Sequence, residues 1–346
     1  MYINEAFKLA QMTDGQTGRN PAVGCIIVRD GAIIGIGAHL KEGSSHAEVQ
    51  ALAMAGDARG ATLYCTLEPC SHYGQTPPCT EAVVEAGISR VVFAARDTSL
   101  DNTGIAYMEA HGIEVSHEPH DDITEFYAPF FQAKKDSACY VTVKLAATLD
   151  GKLADDSDSS KWLTNADSRT DVHKLRHTMD GVLVGRRTYE LDQPKLDARH
   201  VSGKKPAKII ISRSGDVKLH AADIDSEQRI IIITSRELET TAEVIVTDDL
   251  SPGHITKLLY KHGIRRLLVE GGSSVITAFI EHDCFDEVVL YYAPKLLGGT
   301  ERNRFYHTEE KELSALKQLE LKSVDVFQHD VKLTYRKGQN DVHRNY

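Results

Sequence analysis

A histidine, a glutamate and two cysteines stand in an order that few folds can use: His46-Ala47-Glu48, then Pro69-Cys70, then Cys79. One imidazole and two thiolates suit tetrahedral Zn²⁺ and leave its fourth position open, which marks a catalytic rather than a structural site. Glu48 can reach a water there without binding the ion, and is expected to move its proton. Zinc deaminases attack an amidine-like carbon of a nucleobase in this way. The plainer reading is that His-x-Glu arises by chance and that isolated cysteines are core residues, as Cys25, Cys65, Cys139 and Cys284 are taken to be. A structural zinc would recruit a fourth protein ligand, for which His72 is the nearby candidate, although a place facing substrate suits it better. The Pro-Cys pair followed by a second Cys favours the catalytic site. The gap is unusual: eight residues separate Cys70 from Cys79, where the generic signature has two.

The 346 residues fit two domains, and their charge is uneven. Residues 1–138 hold 9 Lys and Arg against 18 Asp and Glu, a net of −9, while the remainder holds 31 against 32. An acidic first half is a poor partner for a polyanion, so no nucleic acid is expected and a small molecule is. No run approaches the roughly 20 apolar residues of a membrane span, so no membrane partner is expected. Asn4, Glu5 and Lys8 in the first helical segment exclude a secretory signal there. A cytoplasmic location follows, where reduced cysteines bind metal rather than form disulfides.

Strand and helix signals alternate through the first half: a helix over 2–13, strands at 23–28 and 32–38 joined by Asp30-Gly31, and strands at 61–67, 90–95 and 113–115. Ser44 or Ser45 is expected to cap a helix starting near His46, and Cys70 to begin another. The pattern predicts an α/β layered sheet of mixed direction over 1–116 and a helical connector over 117–139. A second α/β domain follows over 140–346. Its strands are predicted at 140–146, 181–185, 207–212, 229–234, 243–247, 266–270, 286–292 and 327–336, and its helices at 166–178, 252–262 and 273–282.

The segment T-L-E-P-C-S-H-Y-G-Q-T-P-P-C (66–79), with R-N-P-A-V-G (19–24) and H-A-E, resembles the deaminase half of the bifunctional riboflavin-biosynthesis deaminase–reductase family. The likeness covers most of residues 1–115. It implies a cytidine-deaminase-like three-layer mixed sheet with one Zn²⁺ per chain on His46, Cys70 and Cys79, and Glu48 as the catalytic residue. It further implies that Asn20, His39, His72 and Asp97 contact a phosphorylated pyrimidine. Two positions depart from the family: Gln75 replaces a basic residue, and Asp97-Thr98-Ser99-Leu100 replaces Asp-Pro-Asn-Pro.

In the second half, V-K-L-A-A-T-L-D-G-K (143–152) places Lys144 in an apolar run. Lys144 is either a snorkelling edge residue or a cation facing a buried substrate. L-L-V-E-G-G-S-S (267–274) runs from strand through two glycines into a helix, an arrangement that can cradle phosphate; it is not G-x-G-x-x-G, which argues against an ordinary Rossmann domain. With S-K-W-L-T-N (160–165), V-L-V-G-R-R-T (182–188) and Y-A-P-K-L-L-G-G (292–299), these segments resemble the reductase half of the same family. That resemblance implies a dihydrofolate-reductase-like α/β domain using NADPH. Ala146, Trp162, Thr188, Asp192 and the segment Gly272, Ser273, Ser274, Val275, Ile276, Thr277 and Ala278 would contact the cofactor. Lys144, Ser160, Arg176, Leu196, Arg199 and Glu270 would contact substrate, with Arg176 and Arg199 as planar phosphate clamps.

The expected function is zinc-dependent deamination of a diaminopyrimidinone ribosylamino-phosphate, followed by reduction of its ribosyl group to ribityl. A single-function deaminase with an inactive second half, or a non-catalytic zinc-stabilised binding protein, are the alternatives. Apolar surface left by the last strands predicts a homo-oligomer.

Overall fold

The computed structural model describes all residues except 75, 99–102, 156–162, 202, 225, 300–303, 305, 307, 309–311, 313–315 and 339–346. Gln75, Ser99, Leu100, Ser160 and Trp162 therefore lie outside the described residues. The chain divides into two compact units, Met1–Asp136 and Ser137–Tyr346. No helix among the described residues is long and apolar enough to cross a membrane.

The first unit runs α1 (Tyr2–Thr13), β1 (Gly24–Arg29), β2 (Ala32–Ala38), α2 (Ala47–Ala55), β3 (Thr62–Leu67), α3 (Cys79–Glu85), β4 (Arg90–Ala95), α4 (Thr103–Ala110), β5 (Glu114–His117) and α5 (Asp121–Asp136). Its sheet has the order β2-β1-β3-β4-β5; β1 is antiparallel to both neighbours, and β3, β4 and β5 are parallel. Asp30 and Gly31, both at positive φ, close the β1–β2 hairpin as their sequence required. Helix α2 lies on β2 where that strand has no side chains: a Cβ on Gly35 would stand 2.2 Å from the Ala51 carbonyl oxygen, and one on Gly37 2.0 Å from that of Ala47.

Three local expectations change. His46 itself is the N-cap of α2, in extended backbone and without a side-chain cap, while the Ser44 hydroxyl turns back to the Lys41 carbonyl at 2.6 Å. Cys70 starts no helix; α3 begins at Cys79 after Pro78. The helix read as a connector packs into the first unit's core. Tyr127 of α5 is fully buried, donates to the Ala22 carbonyl at 2.8 Å, and meets Thr66 Oγ1 at 2.6 Å.

The second unit runs β6 (Tyr140–Thr148), α6 (Ala166–His177), β7 (Gly181–Gly185), α7 (Arg186–Asp192), β8 (Ala207–Ser212), α8 (Ala221–Ile224), β9 (Ile230–Thr234), β10 (Glu243–Val246), α9 (Pro252–Lys261), β11 (Arg266–Val269), α10 (Ser273–Glu281), β12 (Glu287–Ala293), β13 (Leu319–Phe327) and β14 (Asp330–Lys337). The sheet order is β10-β9-β8-β7-β11-β6-β12-β14-β13, parallel from β10 to β12 and antiparallel beyond. The near-continuous apolar runs of β7, β8, β9 and β11 fit strands covered on both faces. The strand expected over 327–336 is corrected to the hairpin β13–β14, whose turn at Gln328-His329 lacks the usual Gly or Asn and so was not legible. Lys144 lies on central β6, between β11 and β12, which overturns the edge reading.

Candidate active sites

In the first unit β3 delivers Cys70, α3 carries Cys79 in its first turn, and the start of α2 supplies His46. Their donor atoms lie within 4.8 Å of one another. His46 Nδ1 is 3.2 Å from Cys79 Sγ and 3.5 Å from Cys70 Sγ. A zinc with ordinary bond lengths needs a tetrahedral N···S edge of about 3.5 Å, so the donor set fits that ion. Cys70 is prepared as a thiolate: a bond with the Cys79 thiol lowers it against burial, and with His46 and the Cys79 backbone N–H (3.3 Å) brings it to about 4. The other face of the imidazole, Nε2, meets Thr76 Oγ1 at 3.4 Å.

Glu48 is 4% exposed and is not one of the three ligand residues. Burial, reinforced by Cys70, pushes its carboxyl up, the tuning a proton carrier needs. Asn20 Nδ2 lies 3.3 Å from His39 Nε2, and the His39 ring packs edge-on against His46 with centroids 5.3 Å apart. Burial lowers the pKa of His39, against a bond with the Ser45 carbonyl. These residues gather beside the cluster. His72 is exposed on the loop between the cysteines, and no hydrogen bond among the described residues holds it. The Asp97 N–H donates to Glu68 Oε2 at 3.3 Å. Glu68 is a buried carboxylate that the sequence reading passed over, although it stands in the T-L-E-P-C motif; its Oε1 has no hydrogen-bond partner among the described residues.

The second unit holds a cavity of about 890 Å³. Lys144, Ala146, Arg176, Thr188, Asp192, Leu196, Arg199, Glu270, Gly272, Ser273, Ser274, Val275, Ile276 and Ala278 all line it; Thr277 does not. Gly272 has φ 75° and caps α10, while a Cβ on Gly271 would stand 2.7 Å from Val184, so both glycines are required by the turn. His173, Arg186, Arg187, Arg213 and Tyr291 also line the cavity and were not singled out from sequence. Arg186-Arg187 stood inside the quoted V-L-V-G-R-R-T motif, which was the available signal.

The Arg176 fork meets Glu270, Nε to Oε1 at 2.6 Å and Nη2 to Oε2 at 2.8 Å, and its Nη1 reaches the Asp197 carbonyl at 3.3 Å. Lys144 Nζ lies 3.7 Å from Glu270 Oε2 and 5.8 Å from the Tyr291 ring centroid. Burial lowers the pKa of Lys144, opposed by Glu270 and assisted by Arg176. Tyr291 donates to Asp171 at 2.7 Å, and Lys332 reaches the same carboxylate at 2.9 Å. Arg199 pairs with Asp197 at 2.6 Å and is half exposed.

A three-ligand metal cluster with a buried acid, and a separate cation-lined cavity on a mostly parallel sheet, define a two-site enzyme of the deaminase–reductase class. Residues 1–95 match the cytidine and deoxycytidylate deaminase zinc-binding region, and residues 139–333 match the RibD C-terminal domain. The chain is 40% identical to riboflavin biosynthesis protein RibD of Aquifex aeolicus, over 86% of this chain and 87% of that protein. It is 34% identical to RibD of Bacillus amyloliquefaciens, over 99% of each. The crystal structure of the Thermotoga maritima diaminohydroxyphosphoribosylaminopyrimidine deaminase/5-amino-6-(5-phosphoribosylamino)uracil reductase superposes with a TM-score of 0.90 at 33% identity, covering 97% of this chain and 98% of that one. The chain belongs to the RibD family of bifunctional riboflavin-biosynthesis deaminase–reductases.

Proposed function

We propose that the first unit deaminates a phosphorylated diaminopyrimidinone bearing a ribosylamino group, and that the second reduces the ribosyl group of the product to ribityl with NADPH. The observation that carries this reading is the meeting of His46, Cys70 and Cys79 beside a buried Glu48 that is not a ligand. A zinc ion on those three residues would supply Lewis-acid activation of water. Glu48 accepts one proton from that water and passes it to the ring nitrogen; it then takes the second proton, from the hydroxyl added to the ring carbon, and gives it to the amino group, which leaves as ammonia while the carbonyl forms. Asn20 and His39 hold the base, with His72 and Asp97 completing the contacts to substrate.

NADPH would supply the hydride, seated on Ala146, Trp162, Thr188, Asp192 and the glycine turn that opens α10. Lys144, braced by Glu270, faces the reacting sugar carbon. Leu196, Ser160 and Arg199 hold the substrate, with Arg199 on its phosphate. Arg176 and Glu270, paired with each other, contact the substrate as well. Zinc-loaded protein given NADPH and the pyrimidine is expected to release ammonia and consume NADPH; absence of both with metal bound overturns the reading.

A cytoplasmic homo-oligomer is part of this proposal. Leu319, Leu321, Val324 and Val326 on edge strand β13 are all exposed. The bulge between Leu321 and Ser323 keeps these four on one face, opposite Lys337, Tyr335, Leu333 and Val331 of β14. An exposed apolar edge of this length favours a second copy as its cover.

A further inference from the structure

After α7, two non-glycine residues hold left-handed backbone: Gln193 at φ 44° and Leu196 at φ 50°. Leucine has no polar group to favour that state locally, as Asn or Asp would. Leu196 is nevertheless 2% exposed and lines the reductase cavity near Arg199. The surrounding fold overrides the local preference through the loop's carbonyls. Lys208 Nζ donates to Pro194 at 2.9 Å, Gln228 Nε2 to Leu196 at 3.3 Å, and His173 Nδ1 to Asp197 at 2.8 Å.

Lys208 has an unusual environment for a lysine. It lies on β8, is 1% exposed, pairs with Asp223, and sits 5.6 Å from the Tyr189 ring centroid. The second oxygen of Asp223 accepts the Tyr189 hydroxyl at 2.6 Å. A buried ion pair carries a desolvation cost that apolar residues of similar volume avoid. What this pair adds is a fixed donor at the Pro194 carbonyl.

We propose that Lys208, held by Asp223, is a positioning residue of the reductase site: it keeps the turn 194–197 in its left-handed form so that Leu196 and Arg199 meet the phosphorylated substrate. The inference rests on the reductase reading above. Strain at a ligand-lining turn persists only where the surroundings over-determine it, and three side chains donating to the loop's carbonyls do so here.

The test uses the full-length zinc-loaded chain and follows NADPH oxidation with the deaminated pyrimidine as the varied substrate. The Lys208→Met/Asp223→Asn variant is expected to raise KM by about tenfold or more, with kcat and the NADPH Kd within about threefold of the parent. Lys208→Arg, which keeps a charged donor, should restore much of the KM. An unchanged KM overturns the proposal, as does a parallel loss of kcat, KM and NADPH affinity. If the double variant does not fold, the single Lys208→Gln variant, which removes the charged donor at Pro194 and keeps a polar side chain beside Asp223, takes its place, and the same two outcomes decide. Failure of the parent chain to oxidise NADPH overturns the reductase reading itself, whereas a defect confined to the variants bears on Lys208 alone.

Discussion

Arg176 and Glu270 meet through two charge-assisted hydrogen bonds, and Lys144 approaches the same carboxylate from β6. Burial alone would raise the Glu270 carboxyl, but Arg176 and Lys144 outweigh it and hold the group down to about 2. In an unfolded chain a glutamate titrates near about 4.3. The folded value is the lower one, so the stabilisation is complete above the unfolded pKa and is lost as pH falls towards 2. Glu270→Gln is expected to remove roughly 3 kcal/mol from the second unit at pH 7 and to flatten its acid dependence. Urea unfolding at pH 7 and pH 3 measures both; an equally steep acid loss in the variant contradicts the assignment.

Glu48→Gln should retain metal, because Glu48 is not in the ligand set, and should lower ammonia release by about 10²- to 10⁴-fold. Metal content and single-turnover ammonia release are the measurements. Loss of zinc from the variant would make Glu48 a ligand and contradict the geometry.

Thr76 faces the nitrogen of His46 opposite the two sulfurs. A hydroxyl accepting that N–H fixes the tautomer that offers Nδ1 to the metal. Thr76→Val is therefore expected to weaken zinc binding by about 10- to 100-fold, and Thr76→Ser to restore it. Competition with a chelating dye reads the affinity without any turnover.

Removing zinc should separate the two activities. The three ligand residues lie between positions 46 and 79, while the lining of the reductase cavity runs from Lys144 to Tyr291. Chelated protein is expected to stop releasing ammonia yet oxidise NADPH at close to the parent rate when given the deaminated pyrimidine. A parallel loss of both activities would tie the reductase to the metal.

Val324→Lys/Val326→Lys puts two cations on the exposed face of β13. Sedimentation should show a smaller species than the parent, with deamination retained. An unchanged sedimentation coefficient would remove this edge from the oligomer interface.

Much of the metal centre was legible because its residues are chemically rare and close in sequence. Cys70 and Cys79 could be paired with His46 before any fold was known. The reductase side was legible as a set of positions but not as a set of partners. Nothing in the sequence shows that Arg176 meets Glu270, 94 residues away, because sheet order makes that contact. The β13–β14 hairpin escaped for a different reason: Gln328 adopts φ 57° without being Gly or Asn, so the turn carried no local mark. Helix α5 looked like a linker because its acidic start and Lys134-Lys135 end hide the buried Ile123, Tyr127 and Ala133 that hold it to the core.

The bare strip under α2 has a consequence for how freely the deaminase centre can vary. Gly35 and Gly37 let the helix backbone rest against strand backbone, so the height of Glu48 above the sheet is set by atoms that are missing. A methyl group at either position would lift the whole helix, carrying the acid and its neighbouring His46 away from the two cysteines together. The chemistry at residue 48 thus depends on a tolerance machined into a different strand, and substitutions far from any reacting atom can detune it without touching a single contact of the site.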